Sequence, residues 1–234
     1  MSLFLERIVE EGYEMYNITT VGYVVIFVLI LLSILSAGYF SGNGKKGING
    51  AQLVLSIVCM AIAFLATNIT IYQMPMGGEV TLCSMFFITY IGYLYGARVG
   101  ISASVAYGLL QLITDPYIIG VPQLMCDYVL AFGVMGISGI LSNKKMGLQL
   151  GYLIGILGRY FFSVLSGVLF FAEFTPEGMH PVVYSLSYNG AYIGAEALLT
   201  LIIISIPPVT NLLKKLKSLI GGDSSDGRNI PKEG

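Results

Sequence analysis

Residues 117–136 read Tyr117-Ile-Ile-Gly-Val-Pro-Gln-Leu-Met-Cys-Asp127-Tyr-Val-Leu-Ala-Phe-Gly-Val-Met-Gly136, an apolar run with one carboxylate at its middle. A run of about 20 such residues is long enough to cross a bilayer as a helix. An ionised side chain in hydrocarbon is costly, so Asp127 must find a partner inside the membrane or give up its charge. This stretch sets two expectations: a helical membrane fold and a polar site inside it.

The rest of the chain has the same character. Of its 234 residues 56% are hydrophobic and 11% charged, with mean hydropathy +0.81, the composition of a polytopic helical membrane protein. A net charge of -1 without a basic stripe argues against a nucleic-acid partner. Cys59, Cys83 and Cys126 are scattered through apolar segments without metal-ligand spacing and read as packing residues. His180 is the one histidine and has no second ligand near it, so no metal is assigned. The cluster Gly42-Asn-Gly-Lys-Lys-Gly47 lacks Walker A spacing, so any ATP hydrolysis belongs to another subunit. No cofactor is implied. Residues 1–16 are acidic and the run after them is long enough to span, so no cleavable signal is expected.

Apolar stretches near 20–41, 51–72, 80–95, 99–114, 120–142, 147–172 and 182–207 predict seven spans, hence an all-α polytopic membrane protein. Lys45, Lys46, Arg98, Lys144, Lys145, Lys214, Lys215 and Lys217 then fall on one side. Glu6, Glu10, Glu11, Glu14, Glu79, Asp115, Glu173 and Glu177 fall on the other. The positive-inside rule places the N-terminus outside and the C-terminus in the cytoplasm. The predicted division is an N-terminal segment with one span (1–48), a membrane domain (49–212) and a basic end with a disordered tail (213–234).

Three ionisable residues fall well inside spans: Asp127, Arg159 and Glu196. Together they imply a polar cavity, although Arg159 can equally form a structural ion pair or snorkel, and Glu196 can serve a helix kink or a subunit contact. An enzyme using Asp127 and Glu196 as acid and base is the rival reading. It lacks a nucleophile, metal or cofactor fingerprint. Tyr117 and Tyr128 flank Asp127, Phe170 and Phe171 end the sixth span, and Tyr184, Tyr188 and Asn189 open the seventh. Each tyrosine alone reads as aromatic belt. In combination, aromatic faces, a carboxylate and an amide suit capture of a small aromatic cation from outside.

Four strings make a family resemblance specific: Met74-Pro-Met-Gly-Gly-Glu-Val-Thr-Leu82; the 117–139 stretch with Gln123, Asp127 and Tyr128; Gly158-Arg-Tyr-Phe-Phe-Ser-Val-Leu-Ser-Gly167; and Phe170-Phe-Ala-Glu-Phe-Thr-Pro-Glu-Gly178 leading to Tyr184-Ser-Leu-Ser-Tyr-Asn189. With them the chain resembles the thiamine-binding substrate-capture (S) subunits of energy-coupling factor (ECF) transporters, the ThiT/YuaJ family. The resemblance covers about 50–205, so the first span is an addition to a six-helix S-component core. It implies that thiamine is the transported ligand. The partners it implies are a membrane scaffold subunit and two ATPase subunits, alongside the lipid bilayer. Asp127 would hold the aminopyrimidine with Asn189. Tyr117, Gln123, Tyr128, Ser163, Phe171 and Tyr184 would complete the pocket, and Met74, Gly77, Gly78 and Glu79 would lie in a lid loop. Ile57 and Ala61 fall where the family carries an Ala-x-x-x-Ala face for its scaffold. Ser163 stands where relatives carry His, and the chain has no Trp, which keeps a thiamine precursor or another vitamin open as the ligand.

Overall fold

The structure, a computed structural model, describes residues 3–10, 13–41 and 50–221. All seven apolar stretches contain a helix: α1 (Thr20–Ser41), α2 (Gly50–Thr67), α3 (Ser84–Tyr95), α4 (Ala97–Thr114), α5 (Val121–Leu141), α6 (Gly147–Phe170) and α7 (Pro181–Ser205). By length and composition α4 to α7 suffice to cross a membrane, and α1 to α3 contribute shorter apolar stretches. Lys45, Lys46 and the tail beyond Gly221 lie outside the described residues.

Three elements depart from the sequence expectation. A hairpin, β1 (Leu5–Glu10) with β2 (Tyr13–Ile18), precedes α1, and Arg7 pairs with Glu14 across it. The second span was expected to reach residue 72 and the third to start at 80. Instead α2 stops at Thr67, and β3 (Thr70–Gln73) and β4 (Glu79–Thr81) form a second hairpin. Ile69-Thr-Ile-Tyr72 is β-branched and aromatic, which favours strand over helix. The turn is made by Pro75 and by Gly77 at φ +87°, a conformation that glycine adopts without strain.

The third departure is α8 (Pro207–Gly221). Ile206 is extended, as the residue before a proline prefers, and Pro207 opens the new helix. The basic end expected from 213 is therefore the second half of this helix, docked on the bundle. Lys217 lies 4.1 Å above the Tyr93 ring and donates to the Ser142 carbonyl, while Tyr90 donates to the Leu213 carbonyl at 2.8 Å.

The core centres on α3, which packs against α2, α4, α5 and α6 and buries Met85, Phe86, Ile88, Tyr90, Ile91 and Tyr93. Alpha-helix α5 crosses α4 backbone to backbone: a Cβ on Gly136 would sit 2.1 Å from the Ile101 nitrogen. It is also irregular, with a π-helical turn at Met125–Leu130 and 3-10 geometry at Val134–Leu141. Turns of this kind change which way side chains point, and Asp127 sits in the π turn. A second apolar cluster joins the N-terminal segment to α4, with Ile18 and Ile26 against Leu109, Leu112 and Ile118.

Candidate functional site

A cavity of about 750 Å³ opens where α2, α4 and α6 end and where α5 and α7 begin, at the end of the bundle remote from Ser142 and Lys217. That volume is typical of small-molecule sites. All eight residues expected to bind ligand line it: Tyr117, Gln123, Asp127, Tyr128, Ser163, Phe171, Tyr184 and Asn189. Of the expected lid residues Gly77, Gly78 and Glu79 line it, and Met74 is not among its walls.

Gln123 organises the carboxylate. It is buried one helical turn before Asp127 and donates to Asp127 Oδ2 at 2.7 Å. The same amide donates to the Tyr117 carbonyl at 3.1 Å and accepts from the Ile119 nitrogen at 3.2 Å. Tyr128 adds a staple, accepting from the Tyr117 nitrogen at 2.9 Å and donating to the Asp115 carbonyl at 3.0 Å. Gln123 and Tyr128 thus hold the loop that carries Tyr117, whose ring stacks on Phe171 with centroids 5.8 Å apart.

Asn189, expected to hold the ligand together with Asp127, lines the same cavity. Its amide donates to Ser185 at 3.0 and 3.2 Å and accepts from Tyr192 at 2.9 Å, so its hydrogen bonds are made within α7. The amide bonded to Asp127 is Gln123, which shares its helix, while Asn189 faces the same cavity from another.

The loop expected to form a lid is the turn of the β3–β4 hairpin, and Tyr188 fastens it. Its phenol donates to the Pro75 carbonyl at 2.6 Å and accepts from the Gly78 nitrogen at 2.8 Å. A Cβ on Gly78 would lie 2.8 Å from that phenol oxygen and 2.9 Å from Tyr192, so glycine permits the approach. Tyr184, Tyr188 and Tyr192 recur at every fourth residue along α7, with successive rings 5.7 and 5.8 Å apart.

Arg159 lines the cavity and lies 4.2 Å over the Phe132 ring, with one amino group 3.8 Å from the Met135 sulfur. Among the described residues it forms no ion pair, so the carboxylate partnership considered from sequence is replaced by an aromatic face. Glu79, Asp115 and Asp127 share the lining with it, three carboxylates to one guanidinium, a balance that favours cationic ligands.

Glu196 is not part of this wall. It is buried, accepting from Thr81 N at 3.2 Å, Thr81 Oγ1 at 2.7 Å, Ser84 Oγ at 3.1 Å and Met85 N at 3.1 Å. It ties α7 to the base of the lid and sits at the N-terminus of α3, where the helix dipole favours an anion. These bonds bracket Cys83, which holds φ +58°, a conformation rarely adopted by a residue with a side chain. An acid and base pair of Asp127 with Glu196 therefore has no common site.

Sequence reading missed part of the wall. Thr67 and Gln111 both line the cavity and meet at the Tyr107 hydroxyl, at 2.7 and 3.1 Å. Their signal was a polar residue within the last turn of an apolar helix. Tyr192 was visible as the next step of the tyrosine repeat. Elsewhere, His180 caps α7 by accepting from the Val182 nitrogen at 3.2 Å. On α2, Ile57 and Ala61 are exposed, whereas Cys59 and Ala63 face the core.

A sequence model described as "Thiamine transporter protein (Thia_YuaJ)" matches residues 53–216, more than half of the chain. The chain is 32% identical over 162 residues to the thiamine transporter ThiT of Bacillus subtilis (strain 168), covering 62% of this chain and 84% of that protein. It is 26% identical over 121 residues to ThiT of Lacticaseibacillus paracasei, covering 44% of this chain and 60% of that relative. In fold it resembles a solved structure of ThiT from Listeria monocytogenes, with TM-score 0.56 and 23% identity over 81% of this chain and 97% of that one.

Proposed function

The chain belongs to the Thia_YuaJ family of thiamine transporter proteins, and on that premise we propose that its cavity captures thiamine outside the cell for delivery inward. It is a multi-pass protein of the cell membrane and a transporter component, not an enzyme. One observation carries the ligand reading: Asp127 reaches the cavity beside aromatic walls from Tyr117, Phe171 and Tyr184, beneath a lid fastened by Tyr188.

A carboxylate accepts from the exocyclic amine of an aminopyrimidine, and from a ring nitrogen when that nitrogen is protonated. Aromatic faces replace part of the water that a thiazolium loses on entry. Asp127 is already oriented by Gln123, so binding does not have to order it. Phe171 offers the stacking face, and Asn189, Ser163 and Arg159 supply the remaining polar edges. Closure of the hairpin under Tyr188 then excludes water from the bound cation.

In this reading the seven apolar helices all span, with the cavity outside and α8 at the cytoplasmic face. Delivery uses an ECF-type scaffold subunit and two ATPase subunits. The exposed side of α2 around Ile57 and Ala61 is the surface proposed to meet the scaffold; Ala61 allows close helix approach there, while Ile57 breaks the family's small-residue pattern.

Equilibrium binding to purified protein tests the assignment, using thiamine, its phosphates, hydroxymethylpyrimidine and unrelated vitamins as competitors. Thiamine should bind most tightly. Stronger binding of a precursor or another vitamin would move the ligand while keeping the transporter class, and an Asp127→Ala variant binding as tightly as wild type would sink the pocket assignment.

A further inference from the structure

The family match begins at residue 53, yet the segment before it is built onto the wall of the cavity. Between α4 and α5 runs a six-residue connection, 115–120, with no regular structure of its own. It carries Tyr117. Loops that line a site are low-stability elements unless something holds them.

This one is held from both sides. On the cavity side Gln123 and Tyr128 bind the backbone at Tyr117 and Ile119. On the far side the Tyr16 nitrogen donates to the Ile118 carbonyl at 2.8 Å, and the Ile118 side chain is buried against Ile18 and Ile26. Tyr16 stands opposite Arg7 in the β1–β2 ladder, and its N–H points out of the hairpin at Ile118. The hairpin is anchored in turn: the Thr19 nitrogen donates to the Phe4 carbonyl at 3.1 Å, and its hydroxyl to the Leu3 carbonyl at 2.9 Å. Helix α1 lies along α4, with Ser36 donating to Ser102 at 3.0 Å.

We infer that the N-terminal hairpin and α1 are an outer brace for the ligand site, and that Tyr16, through its backbone N–H, positions the loop bearing Tyr117. The inference rests on the thiamine-binding reading for its functional consequence. A ligand gripped by Tyr117 leaves more slowly when the loop behind that ring cannot recoil.

The experiment compares Tyr16→Pro with Tyr16→Ala in the full-length protein. Proline removes the one N–H and is tolerated where a strand's donor faces out of its ladder. Alanine keeps the donor and removes the ring, so it reports on packing alone. The first readout is hydrogen exchange of amides 115–120 without ligand, and the second is the thiamine dissociation rate. Proline should speed exchange of this loop and raise the dissociation rate about fivefold, the worth of one hydrogen bond. Alanine should leave both close to wild type.

Equal behaviour of the two variants in both readouts overturns the brace. Should the proline variant not fold, Gly22→Ala serves instead. Its Cβ would lie 2.4 Å from the Phe4 carbonyl oxygen, so it pushes the hairpin off the start of α1 and should reproduce both changes. An unchanged loop in that variant also overturns the brace. If wild-type protein does not bind thiamine, the ligand reading fails by itself and the exchange measurement still decides the brace.

Discussion

Asp127 and Glu196 are both carboxylates set in apolar helices, and they have opposite fates. Glu196 is ringed by four donors from the Thr81–Met85 segment and lies outside the cavity lining. Asp127 takes a bond from Gln123 and forms part of the cavity wall. A saturated carboxylate in a protein interior stabilises structure, whereas one held in position at a cavity can still accept from a ligand. The number and source of the donors distinguish the two roles.

The sharpest way to break that comparison is Glu196→Ala. It strands two backbone N–H groups beside the strained Cys83 and leaves the Thr81 and Ser84 hydroxyls only each other, and should cost about 3–5 kcal/mol of stability. Thermal unfolding of ligand-free protein would show it, and an unshifted melting temperature would contradict the structural role. Asp127→Asn should act in the reverse sense. Melting should stay near wild type, while thiamine affinity, measured by calorimetry, falls by about 2–3 kcal/mol for the lost charge-assisted bonds.

Tyr188→Phe frees the lid from α7 without opening the Glu196 tie at its base. Stopped-flow measurements should show association and dissociation both faster, with about 1 kcal/mol lost in affinity. If dissociation is unchanged, the hairpin does not close over the ligand. The smallest effect is expected for Phe171→Trp, which enlarges the face stacked on Tyr117 and should strengthen thiamine binding by about 0.5 kcal/mol. Weaker binding would place the thiazolium elsewhere.

Helix positions were legible because an apolar run long enough to span has few alternatives, and the eight residues expected to bind ligand converge on one cavity. What the sequence concealed is instructive at particular residues. Asp127 stood out there as the ligand carboxylate and Glu196 could be read as serving a helix kink or a subunit contact, but their donors were hidden, because they come from a hairpin and helix start more than a hundred residues upstream and from a neighbour one turn away. The hairpin itself was hidden: its apolar β-branched residues continue the pattern of α2, and only Pro75 and Gly77 interrupt it. Gln123 was expected among the pocket residues, but its bond to Asp127, set by i, i+4 geometry on α5, was not foreseen. The brace could not be read at all, since a backbone N–H has no side-chain signature.

Gln123 has one further consequence. Its nitrogen faces two oxygens, the Tyr117 carbonyl and the Asp127 carboxylate, while its oxygen faces the Ile119 nitrogen. The side chain therefore works as a keyed plug with a single permitted orientation, and turning it over would set like poles against each other at all three contacts. A glutamate there, equal in size and shape, would confront two acceptors with a third. One nitrogen atom in this wall thus fixes the polarity of the contacts to Tyr117, Ile119 and Asp127, and with it the way the carboxylate is presented.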